Sequence, residues 1–359
     1  MGRNHTGAFS TMKKRFVYLD ELRMIATVFV IAVHTVSLGT VMVEERSAYW
    51  YGFEILNYLF LCCNLLFVMI SGALLLPVKN ESAGTFYKKR FVKVCVPMVV
   101  YYILYVCAGE GFVWLLPDHW LMMIKRILLG APGEAPHLWL IYVILWLYVL
   151  TPILRYLVQH IPDQVLSGVI VVIMLFQTTC TYVDFFYENR VFYGMMDSFV
   201  GVFLLGYFLA KDHTKGFRYT VFAAGMASVG FSIVHIMNGS DYHRYIFNNA
   251  PLMVCYAAAV FLLVKQLFEN RKEESRFTEW ISRYSFGILL IHWGVLHYLV
   301  KQILHVNPLT GGAVTGTVLM IVLTLFFSLP GAAVVDRTLV RWTENAIYFM
   351  LSVVKRKKS

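Results

Sequence analysis

Residues 17–43 read VYLDELRMIATVFVIAVHTVSLGTVMV, and this stretch decides the fold class. It is apolar over more than the ~20 residues that carry a helix across a bilayer, yet it holds Asp20, Arg23, Thr27 and His34. Their offsets of 0, 3, 7 and 14, at ~100° per residue, place all four within an arc of ~60° on one helix face. The pattern predicts a membrane-spanning helix whose single polar stripe faces other protein. Arg23 falls near one end, and His34, eleven residues on, lies ~16 Å deeper, close to mid-bilayer. An ionisable side chain at that depth is expensive and marks a functional site by default. The plainer role, a histidine serving as packing glue between helices, leaves the shared stripe with Asp20 and Arg23 without a reason.

The remainder of the 359 residues repeats the pattern. Apolar residues make up 59% and charged residues only 14%, well below soluble composition, which excludes both disorder and a disulfide-dense scaffold. Ten spans are expected near 17–43, 51–76, 91–109, 137–157, 164–183, 191–210, 217–237, 247–268, 283–304 and 312–336. The fold class is therefore an all-α integral membrane bundle. Domains divide into a tail at 1–16, the ten-helix unit at 17–336 and a basic tail at 337–359. Counting basic residues near span ends with the adjoining segment, the side of the N-terminus carries 24 Lys plus Arg and the opposite side 6, with Arg23 left as the only one inside a span. The positive-inside rule then places both termini in the cytoplasm of a multi-pass plasma-membrane protein. The net charge of +10 is thereby read as topology rather than as a nucleic-acid face. No cleavable signal is expected, because the first apolar stretch is too long for one. Six cysteines lie in or beside apolar runs without metal-ligand spacing, so no metal is expected.

Further polar groups enter apolar surroundings. Asn57, Asn64 and Ser71 recur every seven residues on one face, with Glu54 a turn before; heptad amides serve more often as interhelical contacts than as ligands. Phe67 to Gly72 ends in small residues that permit close backbone approach. Lys88, Lys89, Arg90 and Lys93 cluster at the mouth of span three, either as a topology signal beside lipid phosphate or as a site for a coenzyme bearing several phosphates. His137 opens span four beside Trp139, which the aromatic belt of the membrane interface already explains. Ser285 and His292 share a face of span nine, and His297, Lys301 and His305 form a row expected to face water. Residues 119–129, with Lys125 and Arg126, suit an amphipathic interfacial helix.

Several of these runs occur in a familiar order: Asp20-Glu21-Leu22-Arg23 with His34 eleven residues after the arginine, Phe67 to Gly72, Phe86 to Arg90 leading to Pro97, His137-Leu138-Trp139, Phe203-Leu204-Leu205-Gly206-Tyr207, and Tyr284 to His292. Together they resemble acyltransferase family 3, the ten-span membrane O-acyltransferases, over residues 16 to 336. The chain is most similar to the stand-alone branch of enterobacterial common antigen O-acetyltransferase-like members. The resemblance implies transfer of an acetyl or similar small acyl group from acetyl-CoA, or a related acyl-CoA, to a hydroxyl of a cell-envelope polysaccharide or lipid-linked sugar. It also implies that His34 is the essential histidine and Arg23 its paired arginine. Asp20 is expected to orient Arg23. Lys89, Arg90 and Lys93 are expected to hold CoA phosphates, and Asn64, Ser71, His137, Trp139 and His292 to contact substrate. Two positions depart from the family pattern. Lys93 stands where the Arg-x-x-Arg element has its second arginine, and Asn64 where a proline is common. The chemistry agrees, since an alcohol attacking a thioester needs a base within hydrogen-bond reach and neutral imidazole suits that task. The partners expected are acyl-CoA, the glycan or polyprenyl-linked acceptor and membrane lipid, with no nucleic acid. A transporter or flippase of a polyprenyl-linked sugar is the alternative, weakened by the lack of an inverted repeat or of paired broken spans.

Overall fold

A computed structural model describes residues 16–77, 81–131, 133–187, 199–239 and 248–356, and all regular structure among them is helical. The helices are α1 (Val17–Thr40), α2 (Ala48–Leu75), α3 (Ala83–Glu110), α4 (Trp120–Leu129), α5 (Pro136–His160), α6 (Asp163–Tyr187), α7 (Val200–Ala210), α8 (Lys215–Met237), α9 (Pro251–Phe268), α10 (Arg276–Ile303) and α11 (Ala313–Met350). Nine of them are long and apolar enough to cross a membrane, and α7 is a shorter apolar helix. The expected sixth span, 191–210, is represented by α7, its first residues lying outside the described ones.

Local chemistry sets the boundaries. Ser47, Ser82, Thr214 and Ser275 precede α2, α3, α8 and α10, and each accepts a hydrogen bond from a backbone N–H three residues on, satisfying a donor the helix cannot. Pro251 opens α9, where its missing N–H costs nothing. Outward faces stay apolar: Trp146, Val149, Ile153 and Tyr156 form an exposed stripe on α5, as a helix in contact with lipid requires.

Helix α1 sits at the centre, packed against α2, α9, α10 and α11, so its polar stripe has only protein and cavities to face. Glu21 on its inner side accepts a hydrogen bond from Thr278 at the start of α10, 3.1 Å away. The α2–α7 crossing is held by glycine. A Cβ on Gly72 would lie 1.9 Å from the Phe203 carbonyl oxygen, and one on Gly206 would lie 2.1 Å from that of Met69, so backbone meets backbone there as small-residue membrane contacts allow.

Several expectations are corrected. Arg23 is not the only basic residue within a span, because Arg155 in α5 and Lys265 in α9 are both buried. Backbone carbonyls receive them. Arg155 donates Nε and Nη2 to Leu75 O at 3.0 and 2.7 Å, closing the end of α2. Lys265 donates to the carbonyls of Leu209, Ala210 and Lys211 at the end of α7, where the helix dipole favours a cation. Beyond 336 the helix continues through Arg356, which leaves the division between the membrane unit and the basic tail as it was. His297 does not sit on a water-facing rim: the backbone widens to i→i+5 hydrogen bonding over Val295–Ile303, shifting the helix phase, and its ring packs on Trp293 with centroids 4.1 Å apart. The amphipathic segment is helical as expected, with Trp120, Leu121, Ile124 and Leu128 exposed on α4.

Candidate functional site

Two cavities lie one above the other inside the bundle, and Leu289 of α10 lines both. The larger, about 390 Å³, is cationic. Arg23 from α1 and Arg90 and Lys93 from α3 reach it, beside Ser71 of α2, Tyr148 of α5 and Ser285 of α10. The widened turn Phe91–Cys95, upstream of Pro97, lies between Arg90 and the rest of α3. Proline lacks the N–H that would close a regular turn, and such bulges recur at functional sites. Each cation has a neighbour. Arg23 Nη1 bonds Asp20 Oδ1 at 2.7 Å, Lys93 Nζ bonds Glu344 Oε2 at 2.8 Å, and the Arg90 guanidinium lies over the rings of Phe86 and Tyr148. Lys89 points elsewhere and pairs with Glu81 at 2.7 Å, which holds the Glu81 carboxyl below its ordinary range.

The second cavity, about 240 Å³, is lined by amides and imidazoles. His34 and Ser37 come from α1, Asn57 and Asn64 from α2, His137 and Trp139 from α5, and Asn248 from the approach to α9. Ser37 donates to Asn57 Oδ1 at 3.2 Å, and Asn64 Nδ2 donates to Asn248 Oδ1 at 2.7 Å. Among the described residues, the wall carries no Asp, Glu, Lys or Arg. Amides, a hydroxyl and an indole face form the lining that a hydroxyl-bearing ring can use, by hydrogen bonding and by stacking.

Behind His34 stands a cluster of rings. Its centroid is 5.3 Å from that of His292, with planes 25° apart, and 5.1 Å from that of Trp293. His137 lies 4.9 Å from His292 in turn. Backbone carbonyls fix the tautomers of the two supporting histidines. His292 donates through Nδ1 to Leu289 O at 2.9 Å and Ile288 O at 3.1 Å, and His137 donates through Nε2 to Leu290 O at 3.2 Å. Tyr105 of α3 accepts from Gly294 N at 3.0 Å and donates to Leu290 O at 2.9 Å. That hydroxyl pins α10 at the turn where its phase changes.

The sequence-predicted residues fall into two groups. His34, Asn64, His137 and Trp139 share the amide-lined cavity, with His292 against its histidine. Arg23, Arg90, Lys93 and Ser71 share the cationic one, with Asp20 bonded to Arg23 and Lys89 outside. The stripe on α1 therefore does not gather at one point: Asp20 and Arg23 do not meet His34. The heptad on α2 divides likewise, Asn57 and Asn64 to one cavity and Ser71 to the other. The structure adds Tyr105, Trp293 and Asn248 to the site. Trp293 directly follows His292 in sequence, whereas nothing in the run around Tyr105 or Asn248 signals a role.

A family model described as an acyltransferase domain matches residues 16–337. No curated protein and no solved structure matches the chain.

Proposed function

The chain belongs to acyltransferase family 3, and from that premise we propose that it moves an acetyl or similar small acyl group from cytoplasmic acyl-CoA to a hydroxyl of a cell-envelope polysaccharide or lipid-linked sugar, as in the enterobacterial common antigen O-acetyltransferase-like branch. Both termini then lie in the cytoplasm, and the cationic cavity opens toward that side. The observation that carries the proposal is the stacking of two chemically different cavities across Leu289, cations in one and His34 in the other.

In this reading Arg23, Arg90 and Lys93 bind CoA phosphates. Arg90 can do so with its planar fork and Lys93 as a point charge. The acylated arm passes Leu289 toward His34, ~16 Å along α1 from Arg23. The acceptor ring lies among Asn57, Asn64, Asn248 and Trp139. His34 takes the proton of the attacking hydroxyl as its oxygen forms a bond to the thioester carbonyl carbon. The C–S bond then breaks, and the proton passes from His34 to the departing CoA sulfur, leaving ester and free thiol. Asp20 keeps Arg23 directed into its cavity.

The test is acceptor-dependent release of CoA thiol from acetyl-CoA by purified protein. His34→Gln is expected to lower the rate by at least ~100-fold at an unchanged melting temperature. Full activity in a folded His34→Gln sample would falsify the mechanism. Uptake of a lipid-linked sugar without consumption of acyl-CoA would make the protein a transporter instead.

A further inference from the structure

We propose that His292 is the positioning residue of His34: its Nε2 accepts the standing N–H of His34 and so stabilises the positive charge that His34 carries while it holds the transferred proton on its other nitrogen. This rests on the role of His34 proposed above.

An imidazole acting as base becomes a cation midway through the reaction, and inside a membrane bundle that cation needs a partner. No described carboxylate lines the cavity that holds His34. Asp20, fourteen residues earlier on α1, is ~21 Å away along the axis and is bonded to Arg23. The acceptor of the proton-bearing nitrogen must come from elsewhere.

His292 supplies it. Its Nδ1–H is committed to the carbonyls of Leu289 and Ile288, so Nε2 carries the lone pair. That nitrogen is buried and meets no hydrogen-bond partner among the described residues, in a side chain with no exposed surface. Leaving a buried acceptor unpaired is costly, and sites that retain one do so for a reason. The ring faces His34 with centroids 5.3 Å apart and planes 25° apart. Two imidazoles joined by an N–H···N bond of ordinary length hold their centroids about 5 Å apart, so the spacing of the two rings is that of a bonded pair once the His34 ring turns its N–H toward His292. The Tyr105 hydroxyl, fastened to Leu290 O and Gly294 N on either side of His292, fixes the register of α10 that presents the lone pair.

The balance is simple. The acceptor O–H bond breaks and an N–H bond forms on His34, whose other N–H is held by His292. The same proton later leaves His34 for the CoA sulfur, and His292 ends as it began.

Three variants test this against wild type and His34→Gln. Met removes the lone pair while filling the space, and Gln replaces it with a carbonyl oxygen. Ala leaves room for added imidazole. His292→Met is expected to lose at least ~10-fold in kcat with both KM values within about twofold, in a sample that remains folded. His292→Gln should recover part of that kcat, and imidazole should raise the kcat of His292→Ala saturably. Wild-type kcat in His292→Met overturns the inference. So does a change confined to acceptor KM, which makes His292 a substrate ligand, and so does failure of both the Gln variant and imidazole to restore activity. If His34→Gln is inactive while His292→Met is active, only this inference falls; if His34→Gln is active, the reading it rests on falls first.

Discussion

The α2–α7 crossing gives a prediction whose size follows from geometry. In Gly206→Ala the new Cβ would sit 2.1 Å from the Met69 carbonyl oxygen and 2.3 Å from its Cα; in Gly72→Ala it would sit 1.9 Å from the Phe203 oxygen. Ordinary contact begins above 3 Å, so each variant needs roughly 1 Å of separation between two backbones that cannot bend away as side chains do. Overpacking of this kind costs ~1–3 kcal/mol or more, and alanine's helix propensity returns at most ~1 kcal/mol. The net expectation is a loss of ~1–2 kcal/mol for either variant. Gly230 on α8 is the internal comparison, because a Cβ there meets nothing within 4 Å. Gly230→Ala should therefore hold or raise stability by up to ~1 kcal/mol. Thermal unfolding in detergent, followed by a maleimide dye that reacts as the buried thiols Cys62 and Cys63 on α2 become accessible, ranks the three. The expected order is Gly230→Ala at or above wild type, with Gly206→Ala and Gly72→Ala several degrees below. If Gly206→Ala melted as high as Gly230→Ala, close backbone contact would not be what fastens α7 to α2.

Two further outcomes are expected. Glu344 occupies Lys93, whose ammonium is mostly exposed, so the pair is worth no more than ~1 kcal/mol; under the proposed function it competes with a CoA phosphate. Glu344→Gln should lower the KM for acyl-CoA by up to ~5-fold, and an unchanged or higher KM would show that Lys93 does not take up phosphate. His213, between α7 and α8, is bonded to Phe208 O at 2.7 Å, and burial pushes its imidazole below the ordinary value, with Lys265 and Arg218 adding to the effect. The folded protein thus resists protonating it more than the unfolded chain does. Its contribution to stability is present above the unfolded value of ~6.5 and is lost as the pH falls below it. His213→Asn should show a smaller drop in melting temperature between pH 7.5 and 5 than wild type; an equal drop would assign the acid sensitivity to other groups.

Much of this architecture is legible in the sequence because bilayer and helix impose fixed periods. Residues 17–43 announce a span, and the seven-residue spacing of Asn57, Asn64 and Ser71 announces an inward face. What periodicity does not carry is the third dimension of that face. Leu289 divides the stripe into two sites, yet a leucine in a membrane helix is silent in sequence. Arg155 and Lys265 look like charges at span ends because nothing local reveals that the carbonyls of Leu75 and of residues 209–211 will receive them. His297 falls on the wrong face once the backbone widens after Gly294, since a helical wheel assumes a constant turn angle.

The division at Leu289 has a physical logic that a single mixed site would lack. Under the proposed function a cation that binds phosphate exchanges one anionic partner for another, as Lys93 would with Glu344, and such exchange is tolerable only where water can share the charge. A base that removes a proton from an alcohol works best where water is excluded and its partners are fixed in advance. Set beside Arg23 and Arg90, His34 would share their hydration. Set deeper, it stands apart from those cations, among amides and beside rings anchored to the backbone of α10. The cost is distance: under the proposed function the donor would span both environments, which suits a substrate with phosphates at one end of a long neutral arm and the reactive acyl group at the other.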